Sequence, residues 1–219
     1  TAAEERLLTG RERPIVLAKR KHDSVAADET APGNSRFGVM LPSTPLHYLL
    51  FYHPSAGGDF PRDIPIFPAL VMTSGNMSDE PICGDNDDAL ARLRGTADAF
   101  LLHDRGIHAR CDDSVIQCPA GEAAFIRRSR GYAPVPIFVP GGSPPVLALG
   151  GELKNTLCVI DDRRAFLSQH IGDLEQSSTH AFFLETARHF LRLLDIEPRV
   201  FARDLHPDYL SSKSLDRLR

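Results

Sequence analysis

The chain has no stretch of apolar residues long enough to cross a bilayer. It has no basic-then-apolar start of a secretory leader. It has only four cysteines, Cys83, Cys111, Cys118 and Cys158, and no CxxC pair among them. That argues against a disulfide framework or a zinc knuckle, and for reduced thiols in a cytoplasmic protein. Positive charge is not in excess either. The 25 Lys and Arg stand against 29 Asp and Glu, a net charge of -4, so bulk nucleic-acid binding is not expected. There is no internal repeat and no low-complexity tract. No Met precedes Thr1, and Leu210 to Arg219 reads as a helix stopped before any cap, so the sequence reads as a piece of something longer.

What is present fits an ordinary globular protein. Hydrophobic residues make up 42% and charged ones 25% of 219, enough for one large or two ordinary domains. The most informative stretch is Ala69 to Pro81. An apolar run, Ala69 to Met72, reads as a buried strand and stops in Thr73-Ser74-Gly75-Asn76-Met77-Ser78. Such a turn crowds backbone N–H groups and short polar side chains together, which suits a phosphate or carboxylate at a strand end. An ordinary polar loop is the alternative.

Before that stretch, Ala2 to Leu8 reads as the tail of a helix ended by Gly10, Pro14 to Ala18 and Phe37 to Leu41 as strands, Pro45 to Phe51 as a short helix, and His53 to Pro68 as a surface loop. After it come a helix over Asn86 to Leu93, with Ala89, Leu90 and Leu93 on one face, and strands at Phe100–Leu102, Ser114–Gln117 and Ala123–Ile126. Tyr132 to Pro145 carries five prolines and two glycines, a density that no regular element survives and that marks a linker. Beyond it, three short strands (Val146–Leu149, Leu157–Ile160, Ala165–Ser168) precede an amphipathic helix from Thr179 to Leu194. Its Phe183, Ala187, Phe190, Leu191 and Leu194 share one face. A strand at Arg199–Ala202 and a helix begun by Pro207 complete the order βββαβα, that of half an actin-like or sugar-kinase-like ATPase domain.

Three groups of residues invite chemistry. Cations gather beside likely strand ends: Arg13, Lys19, Arg20, Arg105, Arg110, Arg127, Arg128 and Arg130, whereas Lys21, Arg62, Arg92 and Arg94 read as solvated. Guanidinium groups suit phosphate and carboxyl oxygens through paired hydrogen bonds. Asp112, Asp113 and Ser114 put two adjacent acids before a strand, suited to Mg2+ or to orienting an arginine, or else to capping a turn. Gly150-Gly151-Glu152-Leu153-Lys154-Asn155-Thr156 joins two strands, with glycines for close approach to a phosphate and a lysine for point charge. A plain hairpin turn is the other reading. His170 and His206 stand at strand ends with no role fixed.

Taken in order, "RPIVL", "GVMLPSTPLHYLL", "LVMTSGNMSDEPI", "CDDSVI", "RRSRGYAP", "LALGGELKNT", "LSQHIGDLE" and "DLHPDY" resemble the HypF family of carbamoyltransferases of NiFe-hydrogenase maturation. The resemblance implies an α/β fold in three parts. These are the C-terminal part of a YrdC-like twisted-sheet domain over 1–133, a linker over 134–145, and the first half of an actin-like ATPase domain over 146–219. It also implies that carbamoyl phosphate and ATP give carbamoyl-adenylate, whose carbamoyl group passes to the C-terminal cysteine of the partner HypE. Carried over by motif, Lys19, Arg127, Arg128 and Arg130 face phosphate or carbamate oxygens. Thr73, Ser74, Asn76 and Ser78 form a nucleotide cradle, and Arg110, Asp112, Asp113 and Ser114 complete the site. Gly150, Gly151, Lys154, Asn155 and Thr156 make a second phosphate loop. Mg2+ is expected with ATP, while Zn2+ or Fe belongs to family regions outside this stretch. Neither nucleic acid nor membrane is an expected partner. Gly106 stands where the family pattern leads one to expect an acid. A YrdC-like threonylcarbamoyl-adenylate synthase of tRNA modification shares the first part only, and a non-catalytic nucleotide-binding module is the third reading.

Overall fold

The computed structural model describes residues 1–21, 28–52 and 65–219. Most of the loop expected over 53–68, with Arg62, lies outside the described residues. Packing divides the chain into two compact units, Thr1–Thr73 with Asp113–Arg127, and Ser74–Asp112 with Arg128–Arg219.

In the first unit, Thr1 opens helix α1 (Ala2–Thr9) with a capping box, its hydroxyl accepting from the Glu4 N–H at 3.3 Å. Strand β1 (Ile15–Lys19) lies between β2 (Arg36–Val39), antiparallel to it, and β3 (Val115–Gln117), parallel to it. Strand β4 (Ala124–Arg127) closes the sheet beside β3, in the order β2-β1-β3-β4. Val16 and Ile116 are register partners and both fully buried. Helix α2 (Pro45–Phe51) starts on Thr44, whose side chain accepts from the His47 N–H, with Pro45 at the position where its missing N–H costs nothing.

The expected strand at Ala69–Met72 is not formed. Val71 is 81% exposed and Met72 also faces solvent. The same holds for Phe100–Leu102, where Leu101 is 74% exposed. A short apolar run becomes a strand only beside another strand, because the ladder and the covered face supply its stability.

In the second unit, helix α3 (Asn86–Leu93) is capped by Asp85, which accepts from the Asp88 N–H at 2.8 Å. None of its residues is fully buried, so the apolar stripe expected there is only half covered. Arg92, expected to be solvated, pairs with Glu80 at 2.6 Å and Asp88 at 2.7 Å and donates to the Pro81 carbonyl. The sheet runs β5-β8-β7-β6-β9, formed by β5 (Ile137–Phe138), β6 (Val146–Ala148), β7 (Cys158–Asp161), β8 (Arg164–Leu167) and β9 (Val200–Ala202). Only β6–β9 is parallel. Strand β5 corrects the reading of 132–145 as structureless. Its two non-proline residues pair with Ala165 and Arg164 at the sheet edge, where neighbouring prolines are tolerated. A tight turn at Asp161–Arg164 joins β7 to β8, with Asp162 at φ 53°.

Helix α4 (Ser177–Leu194) covers this sheet with Phe183, Ala187 and Phe190, which join Leu147, Leu149, Leu157, Val159 and Phe166 in one core. Asp195, in the left-handed region, ends it and donates to the Leu191 and Arg192 carbonyls. The terminal helix is shorter than the sequence suggests. Helix α5 (Leu210–Lys213) gives way to a 3-10 turn over Ser214–Arg217.

Truncating Phe183 opens a cavity at the centre of this core. Phe183→Ala is expected to cost about 3–5 kcal/mol in denaturant unfolding. Leu205→Ala, at a side chain 95% exposed, is expected to stay within about 0.5 kcal/mol. Equal losses would mean that Phe183 is not at the centre.

Candidate functional site

The two units bring together different parts of the expected site. In the first, Lys19 is exposed at the end of β1, directly opposite Arg36 of β2. Like charges facing each other across a ladder are unfavourable unless an anion joins them. Arg36 donates to the Leu17 carbonyl at 3.1 Å, and the Arg20 guanidinium lies 5.2 Å from the Phe37 ring centroid. The sequence reading had Lys19 and Arg20 but not Arg36. Only the β1–β2 register reveals it, and a hairpin pattern around "LAKRK" and "SRFGV" was the available signal. At the other end of β1, Ser114 is fully buried and its carbonyl accepts from the Ile15 N–H at 2.8 Å. Arg127 Nε donates to the Asp113 carbonyl at 2.8 Å. Ser114 thus belongs to the sheet frame, and Arg127 is fixed beside Asp113.

In the second unit, the 74–81 turn is built on Asn76. Its amide donates to the Met77 and Glu80 carbonyls at 2.8 and 3.0 Å, while its Oδ1 is buried without a partner. Cys83 N–H donates to the Gly75 carbonyl and closes the turn. Ser74 and Ser78 are exposed on its rim, and Thr73, also exposed, is the last residue of the first unit's opening segment.

Asp112 accepts through its carbonyl from the Arg130 N–H at 3.0 Å. Arg128 donates to three backbone carbonyls, those of Leu167 (3.3 Å), Tyr132 (2.7 Å) and Val135 (2.9 Å). Burial pulls its pKa down from the usual value, with nearby Cys158 opposing. This guanidinium holds the "RGYAPV" stretch to the end of β8, a setting different from the anion site suggested by the sequence. Arg110 is likewise engaged. Its Nη2 donates to Glu185 at 2.7 Å, and its guanidinium sits 4.5 Å from the Phe182 ring centroid.

The Gly150–Thr156 loop links β6 to β7. Gly150 has φ 68°, and a Cβ there would overlap the Thr156 carbonyl, so no other residue fits. Asn155, 1% exposed, donates from its amide to the Leu149 and Gly151 carbonyls at 2.9 and 2.5 Å, with its Oδ1 buried and unpartnered. Its backbone pairs with Gly172. Glu152 is buried and accepts from the Ser211 N–H at 3.4 Å. The Lys154 N–H donates to Asp173 at 2.6 Å, while its side chain is exposed. Gly150 and Asn155 therefore shape the loop, and Lys154 is its exposed cation. His170 donates through its N–H to the Arg128 carbonyl. His206 accepts at Nδ1 from the Asp208 N–H and stacks on Tyr209 at 4.3 Å, which makes it a turn builder.

Comparison with known proteins adds what geometry leaves open. The Sua5/YciO/YrdC family, described as telomere recombination, matches residues 1–129, and the HypF Kae1-like domain matches residues 142–219. The chain is 48% identical over 97% of its length to carbamoyltransferase HypF2 of Cupriavidus necator. It is 44% identical over 95% to carbamoyltransferase HypF of Synechocystis sp.. The chain belongs to the HypF family. It spans about a quarter of these relatives, 27% and 26% of their lengths. A crystal structure of full-length HypF in the phosphate- and nucleotide-bound form matches with a TM-score of 0.86 at 42% identity, covering 99% of this chain and 32% of that one. HypF of T. kodakarensis matches with a TM-score of 0.86 at 37% identity, covering 97% and 27%. The resemblance read from the motifs is thus shown at the level of family and of fold. For the HypF-family loop at Gly150, a paired substitution tests the geometry. Gly150→Ala adds left-handed strain of about 1–3 kcal/mol to a backbone overlap. Gly151→Ala meets nothing within 4 Å. A melting point several degrees lower for the first and nearly unchanged for the second is the expected result. Equal shifts would refute the assignment of Gly150 as the loop's shape-setting residue.

Proposed function

We propose that this chain forms part of an ATP-dependent carbamoyltransferase of NiFe-hydrogenase maturation. The supporting observation is the succession of a Sua5/YrdC match and a HypF Kae1-like match on a chain 48% identical to a carbamoyltransferase. In this reading water attacks the phosphorus of carbamoyl phosphate, inorganic phosphate is released, and the resulting carbamate oxygen attacks the α-phosphorus of ATP. Pyrophosphate leaves and carbamoyl-adenylate remains. The C-terminal cysteine thiolate of HypE then attacks the carbamoyl carbon and AMP leaves.

What the chain's residues supply is alignment and charge neutralisation, which phosphoryl chemistry needs more than a covalent nucleophile. Lys19, with Arg36 opposite it, is assigned to phosphate or carbamate oxygens, along with Arg127 and Arg130. Thr73, Ser74 and Ser78 are assigned to the nucleotide, on a turn shaped by Asn76. Lys154 is assigned to a second phosphate site, on a loop shaped by Gly150, Gly151 and Asn155 and ending in Thr156. Arg128 and Ser114 hold the frame. Mg2+ is assigned to the nucleotide phosphates, with Asp112 and Asp113 as its carboxylates by motif. Among the described residues no three His, Cys, Asp or Glu gather to hold a metal ion, and no step is routed through one. Among them, too, no helix is long and apolar enough to cross a membrane. The reaction is assigned to the cytoplasm, on the reading of the four cysteines as reduced thiols.

Carbamoyl-phosphate-dependent ATP–pyrophosphate exchange tests this. Lys19→Ala is expected to slow exchange about 100-fold, the scale of removing one preorganised charge partner, with an unchanged melting point. Exchange supported by threonine and bicarbonate instead would favour threonylcarbamoyl-adenylate synthesis. Nucleotide binding without any exchange would favour a non-catalytic module.

A further inference from the structure

Helix α4 is covered on two sides. Its sheet-facing residues, Phe183, Ala187 and Phe190, lie in the core of the second unit. A second row, Thr179, Phe182, Thr186 and His189, recurs every three or four residues and faces the segment 74–112, with the half-exposed Glu185 at its edge. The Thr179 hydroxyl donates to the Asp79 carbonyl at 3.5 Å. Phe182 lies under the Arg110 guanidinium and Glu185 accepts from it. His189 meets His108 edge to face at 5.2 Å. Gln169 Nε2 donates both to the Arg110 carbonyl, 3.3 Å, and to Thr186, 3.4 Å. Gly84 completes the box, because a Cβ there would stand 3.3 Å from Arg110 Cδ.

The residues on the two sides of these contacts belong to different family matches. Asp79, Gly84, His108 and Arg110 fall within the Sua5/YrdC match, and all of α4 within the Kae1-like one. Segment 74–112 also carries the Asn76 turn, assigned above to the nucleotide.

We propose that Arg110 and Glu185 form a latch that fastens segment 74–112, with its Asn76 turn, to helix α4. Through it, the carbamoyl group is handed on to the acceptor cysteine instead of being lost to water. Arg110 is then a positioning residue, not an anion ligand. This rests on the carbamoyltransferase reading. An adenylate reacts readily with water, releasing AMP and carbamate, so a turn free to move away from α4 lets water in before the thiolate arrives. Forming the adenylate does not need the latch, whereas passing it on does.

Glu185→Ala in the full chain tests the latch in two independent ways. Carbamoyl-phosphate-dependent ATP–pyrophosphate exchange is expected to stay within twofold of the unmodified chain. AMP released per carbamoyl group transferred to a HypE acceptor with its C-terminal cysteine is expected to rise at least fivefold. The charge-swapped pair, Arg110→Glu with Glu185→Arg, is expected to restore at least half of the lost coupling. A merely structural role would lower exchange and transfer together, and an anion-binding Arg110 would not be rescued by the swap. Either result overturns the proposal. Hydrogen exchange reads the latch without any activity. Glu185→Ala is expected to speed amide exchange about two- to fivefold across 75–112, the scale of losing one part-exposed ion pair, and to leave β6 and β7 unchanged. Unaltered protection overturns the latch. An unmodified chain without carbamoyl-phosphate-dependent exchange would overturn the activity reading, and amide exchange would still decide the latch.

Discussion

The double burial of helix α4 is the constraint on which the second unit depends. A helix on the face of a small sheet normally shows one apolar stripe and a solvated back. Here the back is not apolar, and only its edge, at Glu185, is solvated. Thr179 and Thr186 are almost fully buried, each with its hydroxyl in a hydrogen bond, and Phe182 is covered by a guanidinium. Polar groups of this kind are tolerated at an interface only when each finds a partner. For Thr179 and Phe182 the partners, Asp79 and Arg110, lie more than seventy positions away in the chain, and Thr186 is reached through Gln169, which also donates to the Arg110 carbonyl, so the segment 74–112 and α4 specify each other.

The same economy of polar groups shapes the two loops singled out for phosphate. Both are built on an asparagine whose amide N–H groups are turned inward to nearby carbonyls. An Asn side chain does this well because it presents two donors on a short arm. The price is an Oδ1 buried without a partner in each case. A group in that position costs stability, about 1–3 kcal/mol when wholly desolvated, which is tolerable only where the loop shape itself matters. Asn76 and Asn155 are therefore scaffold residues, and the residues free to meet a ligand are those on the rims, Ser74, Ser78 and Lys154.

Much of the second unit could be read from the sequence, and the reason is physical. Its strands are bounded by turn residues and its long helix has a regular apolar period, so local pattern and tertiary burial agree. The strands at Ala69–Met72 and Phe100–Leu102 were misread because apolar runs carry no record of whether a partner strand lies alongside. Strand β5 was missed for the converse reason, as a two-residue edge pairing survives among prolines that would destroy a central strand. In the site, cation clusters were legible as clusters. The division of labour within them was not. Arg110 and Arg128 are set apart from Lys19 and Lys154 by their neighbours, Glu185 and Phe182 for the first and three carbonyls for the second. None of those neighbours is adjacent in sequence. Arg36 was overlooked because its importance comes only from lying opposite Lys19.

Segment 74–112 shows why family boundaries and packing boundaries need not coincide. A family match follows the order of the chain and assigns this segment to the Sua5/YrdC part. Packing follows burial, and here α3 offers no fully buried residue of its own. The segment is stabilised instead by what it borrows, through Asp79, His108 and Arg110, from a helix of the other match. Beside its own ties, Arg92 to Glu80 and Asp88 among them, the segment leans on those contacts. The Asn76 turn is shaped by its own residues and touches α4 next door, at Asp79, so under the latch proposal a substitution on that face of the helix reaches the turn without touching it.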